Sequence, residues 1–169
     1  MGARSTSNLG LFRARQERAK WLNEREMRAW RGYIETMPEL QNALEADLVA
    51  LGLTVGDYQV LVYLSESDDR QMRMCDLAEQ LHLSPSGLTR RLDGLVSMGA
   101  VGREQSPEDR RVTLAVLTPR GWELLQRIAP DHVDSVRRHF IDLLTPEQLD
   151  VMGDVFDVLR GHLDTFKRA

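Results

Sequence analysis

Residues 73–121, RMCDLAEQLHLSPSGLTRRLDGLVSMGAVGREQSPEDRRVTLAVLTPRG, decide the fold. Leu77, Ala78 and Leu81 mark the buried side of a short helix, predicted over roughly 75–81. Ser84 then has the hydroxyl that an N-cap needs, and Pro85 sits at the first helical position, where its missing N–H costs nothing. A second helix follows over 85–98, with Leu88, Leu92, Leu95 and Val96 on its apolar face and Gly99 at its stop. VGREQ and RVTLAVL are rich in β-branched residues and flank the polar SPEDR, so they read as strands joined by a charged tip. Thr118-Pro119 repeats the cap-plus-proline signal and opens another helix. That order is a winged helix-turn-helix.

Outward from this segment the chain reads as helical. From Trp21, the apolar residues Trp30, Ile34, Met37, Leu40, Leu44, Leu48 and Leu51 recur at steps of three and four. Pro38 interrupts them, and Thr36 with Glu39 has capping-box spacing, so a kink or restart is expected there. Gly52 is a natural stop; Thr54 with Asp57 opens a further helix to about Ser65, and ESDDRQ reads as a polar loop. Downstream, Trp122, Leu125, Ile128, Val133, Val136, Phe140 and Leu144 line a long helix with Pro130 as an expected kink. Thr145-Pro146 opens a last helix carrying Leu149, Met152, Phe156, Leu159 and Leu163. The expected fold is mainly α with a small antiparallel β-hairpin wing: a winged helix-turn-helix plus a helical dimerisation region. Four segments are expected: a mobile basic arm (1–20), an N-terminal helical dimerisation region (21–52), the winged helix-turn-helix lobe (53–117) and a C-terminal helical dimerisation region (118–169).

The 169 residues suffice for a real core, and 42% hydrophobic with 28% charged content is ordinary for a globular domain. No apolar run approaches the ~20 residues of a membrane span, and no secretory signal is readable, so no membrane partner is expected. One cysteine, Cys75, excludes an internal disulfide, and a cytoplasmic setting is the default. The net charge of −4 hides a strong division. Residues 1–31 carry net +5, residues 32–69 net −8, residues 70–117 net +1 and residues 118–169 net −2. Binding to nucleic acid must therefore rest on the placement of a few arginines rather than on bulk charge.

The second helix of the motif presents Ser84, Ser86, Thr89, Arg90 and Arg91 in its first turns. Short hydroxyls allow close approach to base edges and phosphates in a major groove, and the arginines neutralise phosphates. Capping serines and solvated arginines also occur on any surface helix. The hairpin tip, Asp109, Arg110 and Arg111, shifts the balance. Arg111 can enter a narrow minor groove while Asp109 holds its guanidinium in place, and Arg110 suits a phosphate.

Three stretches, GLTVGDYQVLVYLSE (52–66), LAEQLHLSPSGLTRRLDGLVSMGAV (77–101) and EDRRVTLAVLTPRG (108–121), resemble the MarR family of bacterial transcriptional regulators. The D-x-R turn, a strand, and then L-T-x-x-G carry the resemblance, which spans roughly residues 25–163. It implies that helix 85–98 enters the major groove and the Asp109–Arg111 wing the minor groove, with Arg73 near the phosphates. It also implies a double-stranded DNA operator as partner, and terminal helices that pair with a second copy. Burying Phe140, Leu143, Leu144, Leu149, Met152, Val155, Phe156 and Leu159 at ~1.5–3 kcal/mol each would drive that homodimer. Two-fold symmetry would match a palindromic operator, and a repressor role is expected.

Family members often respond to small phenolic or anionic ligands. Trp30, Tyr33, Ile34 and Met37, with Tyr58 and Val62, are candidates to line such a pocket, and Arg28 or Arg31 to meet an anion; plain core packing is the competing reading. Cys75 begins a helix but reads as a quiet, partly buried thiol. His132 and His139 lie seven apart on one helix face and would hold zinc only with further ligands, so no metal and no cofactor are expected. No nucleophile motif or phosphate loop points to an enzyme. The alternative is a winged-helix protein-interaction module without DNA binding, against which Arg110 and Arg111 speak.

Overall fold

The computed structural model describes residues 19–167. Most of the basic arm expected over residues 1–20 lies outside them. The first helix, α1 (Glu24–Ala50), begins just after Trp21, at a reciprocal box. Asn23 Oδ1 accepts the Glu26 N–H and Glu26 Oε2 accepts the Asn23 N–H, both at 2.9 Å. The helix continues through Pro38 instead of restarting at Thr36 and Glu39. That position is exposed, where water can take the carbonyl that a proline leaves unpaired. By its internal contacts the chain divides into two compact units, Met1–Glu39 and Leu40–Ala169.

In the second unit, α2 (Val55–Glu66) starts at the expected Thr54 cap. The Asp57 N–H donates to Thr54 Oγ1 at 3.1 Å, and Asp57 Oδ2 accepts the Thr54 N–H at 3.1 Å. Glu45 of α1 accepts the next free N–H, that of Val55, at 2.7 Å. The ESDDRQ segment is not a plain loop. It holds a 3-10 turn (Asp68–Arg70), and its last residue begins a short strand, β1 (Gln71–Arg73), that periodicity does not reveal. The turn places Asp69 and Arg70 at φ +53° and +55°, and the Arg70 guanidinium lies 4.1 Å over the Trp122 ring.

The motif helices are α3 (Met74–Gln80) and α4 (Pro85–Ser97), followed by β2 (Val101–Gln105) and β3 (Thr113–Leu117). The sheet is antiparallel with order β1-β3-β2, so the wing hairpin gains a third strand through Gln71↔Val116 and Arg73↔Leu114. Next come α5 (Pro119–His139), which continues through Pro130, a 3-10 turn (Ile141–Leu143) and α6 (Pro146–Lys167). The L-T-x-x-G signature has a physical reason. Thr118 Oγ1 donates to the Gly99 carbonyl at 2.7 Å and accepts the Gly121 N–H at 3.0 Å, seating the first turn of α5 on the end of α4. A Cβ at position 121 would collide with the Ala100 carbonyl oxygen, so only glycine fits.

One core serves the second unit. Leu48 near the end of α1, Leu53 in the connection that follows it, Val60, Leu61 and Leu64 of α2, and Leu77, Leu88, Leu92 and Leu95 of the motif helices are buried together. Ala115 and Leu117 of β3 and Leu125 and Ile128 of α5 close it. The polar link at its edge is Asp47. Its Oδ2 accepts from Ser135 Oγ at 2.6 Å, from the Arg138 guanidinium at 2.7 Å and lies 3.1 Å from His139 Nε2. The Ser135 hydroxyl and the Arg138 guanidinium, with His139 beside them, hold the Asp47 carboxyl down at about 2. No single helix among the described residues is long and apolar enough to cross a membrane.

Candidate nucleic-acid interface

Helix α4 is fastened by its apolar side and presents its polar side outward. Leu88, Leu92 and Leu95 are buried, while Ser84, Ser86, Thr89 and Arg90 are exposed. Ser84 caps the helix by accepting the Gly87 N–H at 3.1 Å, and its hydroxyl lies 3.2 Å from that of Ser86. Thr89 Oγ1 donates to the Pro85 carbonyl at 2.9 Å, so it faces outward as an acceptor. Ser84, Ser86 and Thr89 therefore form one short polar edge at the start of the helix, with the exposed Arg90 guanidinium beside them and without a partner among the described residues.

Arg91 differs from the expectation of a phosphate contact. Its guanidinium turns back to α2, donating to Thr54 Oγ1 at 3.0 Å and lying 3.9 Å from Asp57 Oδ1. Gly56 makes this possible, because a Cβ there would occupy the space of the guanidinium. The helix period places residue 91 on the flank facing α2, one step round from the exposed Arg90.

The wing is shaped by backbone bonds. The Ser106 N–H donates to the Val112 carbonyl and the Val112 N–H to the Asp109 carbonyl, both at 2.9 Å. Asp109 Oδ1 accepts the Arg111 backbone N–H at 2.9 Å. This corrects the expectation that Asp109 holds the Arg111 guanidinium: the carboxylate fixes the turn that presents the arginine, and the side chain is left to project. Arg110 and Arg111 are exposed and have no side-chain partner among the described residues. Arg73, also exposed, ends β1 and occupies the N-cap position of α3, opposite Leu114 in the sheet.

Two contributions escaped the sequence reading. Arg103 on β2 donates to the Thr89 carbonyl at 2.9 Å and to Asp93 Oδ1 at 2.8 Å, tying the strand to α4. The imidazole of His132 packs on Tyr58, with ring centroids 4.3 Å apart. His132 Nδ1 is buried and makes no hydrogen bond, and burial lowers the pKa of the ring. Burial likewise raises that of Tyr58.

The candidate ligand-pocket residues fall into two groups. Tyr58 and Val62 lie on α2, half-buried against the core. Trp30, Tyr33, Ile34, Met37, Arg28 and Arg31 lie on the first unit. There the Trp30 and Tyr33 rings stack at 6.1 Å, both exposed with Ile34, while Met37 is half-buried. Arg28 and Arg31 line a shallow depression with Leu22 and Met27. Cys75, expected to be partly buried, is exposed, its Sγ 3.2 Å from Asp76 Oδ1. No group of three or more metal-ligating side chains occurs among the described residues, and His139 is engaged by Asp47.

Comparison with known proteins agrees with this geometry. The sequence profile of the MarR family matches residues 53–113, the span from the α2 cap to the start of β3. The crystal structure of AbsC, a MarR family transcriptional regulator from Streptomyces coelicolor, superposes with a TM-score of 0.82 at 43% identity, over 87% of this chain and 99% of that one. Sco3205, a MarR family transcriptional regulator from the same organism solved in complex with DNA, gives a TM-score of 0.79 at 38% identity, over 85% and 94% of the two chains. The transcriptional repressor YetL of Bacillus subtilis (strain 168) is 26% identical over 124 residues, 72% of this chain and 74% of its own. Such relatives are regulators rather than enzymes. Matching the family profile across the lobe and superposing on these regulators over most of its length, the chain belongs to the MarR family of DNA-binding transcriptional regulators.

Proposed function

We propose that the chain is a cytoplasmic, ligand-responsive repressor that binds a palindromic operator as a homodimer. The observation that carries this reading is a set of four arginines, Arg73, Arg90, Arg110 and Arg111, exposed on the lobe and without a side-chain partner among the described residues, whereas Arg70, Arg91 and Arg103 are engaged. Ser84, Ser86 and Thr89 supply hydrogen-bonding groups to base edges and phosphates, and Arg111 the minor-groove contact. Residues 21–52 and 118–169 supply the dimer, which sets two α4 helices one turn of DNA apart. The repressor relative in Bacillus supports the sign of regulation.

The ligand response rests on Tyr58 and His132. A buried imidazole nitrogen without a hydrogen bond is a costly group that a phenolic hydroxyl can satisfy. The test starts from a random-sequence duplex pool. Wild-type protein should enrich a palindrome and bind it with an affinity that falls steeply with salt. Arg111→Ala should weaken that binding by about 1–3 kcal/mol. Failure to enrich any duplex, or an Arg111→Ala variant that binds as wild type, would overturn the reading. Release of the duplex by none of a panel of simple phenols would remove the effector from it.

A further inference from the structure

We propose that Arg103 is a positioning residue for DNA readout, fixing the base-contacting half of α4 relative to the wing. The proposal rests on the reading above that α4 and the wing both touch DNA. The two elements are joined covalently only at the far end of the helix, through Met98, Gly99 and Ala100. That junction is firm: the Ala100 N–H donates to the Leu95 carbonyl at 2.9 Å, and Thr118 holds the Gly99 carbonyl. Ser86, Thr89 and Arg90 lie at the other end, two to three turns away, where a small change of helix angle moves them most.

Strand β2 runs back along α4, and Arg103, its third residue, spans to that end. One guanidinium nitrogen meets the Thr89 carbonyl at 2.9 Å and Asp93 Oδ1 at 2.8 Å, residues one turn apart on the same helix face. The bond to the carbonyl matters most, because it grips the main chain and so the helix itself. In the sheet Arg103 pairs with Ala115, and only Glu104 and Gln105 separate it from the wing tip at Ser106. A displacement of the wing is thereby passed to the reading edge of α4. The Arg103 and Asp93 side chains are 31% and 59% exposed, and such surface pairs add little stability. Removing the bridge therefore leaves the fold intact and isolates its effect on recognition.

The test compares the duplex enriched by wild-type protein with a shuffled duplex of the same composition, over a series of salt concentrations. Arg103→Ala should lower affinity for the enriched duplex about tenfold, the order of one misread base pair. Affinity for the shuffled duplex, the slope of log K against log salt and the thermal midpoint should stay as in wild type. Asp93→Ala should cost less, because the grip on the Thr89 carbonyl remains, and Arg103→Lys should restore part of the loss. Equal losses on both duplexes with a slope shallower by about one would make Arg103 a phosphate contact and overturn the proposal. Unchanged affinity for the enriched duplex would also overturn it. Failure of the wild type to enrich any duplex is a separate result, which overturns the DNA-binding reading and this inference with it.

Discussion

The lobe around α4 and the last helix, α6, treat their apolar residues in opposite ways. Leu61, Leu64, Leu77, Leu88, Leu92 and Leu95 are 0% exposed, drawn from three helices that close on the sheet. On α6 the equivalent residues stand in solvent: Val158 is 74% exposed, Phe166 67% and Leu163 58%. Both segments have apolar residues at helical spacing, so periodicity alone does not separate them. The difference is that the lobe's apolar faces find partners within the chain, whereas α6 presents its own outward. Exposed apolar residues of this kind on one helix are where the homodimer proposed above would associate. The lobe should thus fold by its own core, and α6 should depend on concentration.

Leu92→Ala breaks the comparison from the lobe side and carries the largest expected effect. Its side chain lies on the inner face of α4, so truncation should cost about 3 kcal/mol in urea unfolding, within the range for buried leucines. A loss below ~1 kcal/mol would show that the core is loosely packed and the contrast with α6 overstated. From the other side, Leu159→Asp changes a residue 47% exposed in the single chain. Sedimentation should show a dimer shifted to monomer at micromolar protein, while the lobe keeps its urea midpoint. A variant that sediments as wild type would place the second copy elsewhere.

Much of the lobe was legible because its signals are local. Thr54, Ser84-Pro85, Thr118-Pro119 and Thr145-Pro146 each mark a helix start within three residues, and each helix begins there. The residues proposed to contact DNA were chosen from the same local order, and of these Arg91 turns inward to Thr54. What escaped depends on distant partners. β1 is three residues long and becomes a strand by pairing with residues more than forty positions away, Gln71 with Val116. Arg91 looks like any arginine at the start of a recognition helix. Its direction is set by Thr54, 37 residues earlier, and by the space above Gly56. Arg103 reads as an ordinary strand residue until the hairpin folds back and brings Thr89 and Asp93 within reach. Trp21 suggested a helix start by periodicity, but the Asn23–Glu26 box fixes the first turn.

The smallest expected effect lies at the border between the two regions. Asp47 precedes the buried Leu48 and binds Ser135, Arg138 and His139 at the end of α5, just before the chain turns into α6. The Ser135 hydroxyl, then Arg138, lower its pKa from 3.8 to about 2. A carboxyl whose pKa is depressed on folding stabilises the native state above its unfolded pKa, and that contribution is lost as pH falls through the folded value. The window for Asp47 is therefore from about 4 down to about 2. Asp47→Asn should be less stable than wild type at pH 7 and pH 5, and the gap in urea midpoint should close progressively below pH 4. A gap that persists undiminished at the lowest pH would mean that packing around Leu48, rather than the charge on Asp47, joins α1 to α5. In that case the self-sufficient core would extend to the end of α5, and the region dependent on a second copy would begin only with α6.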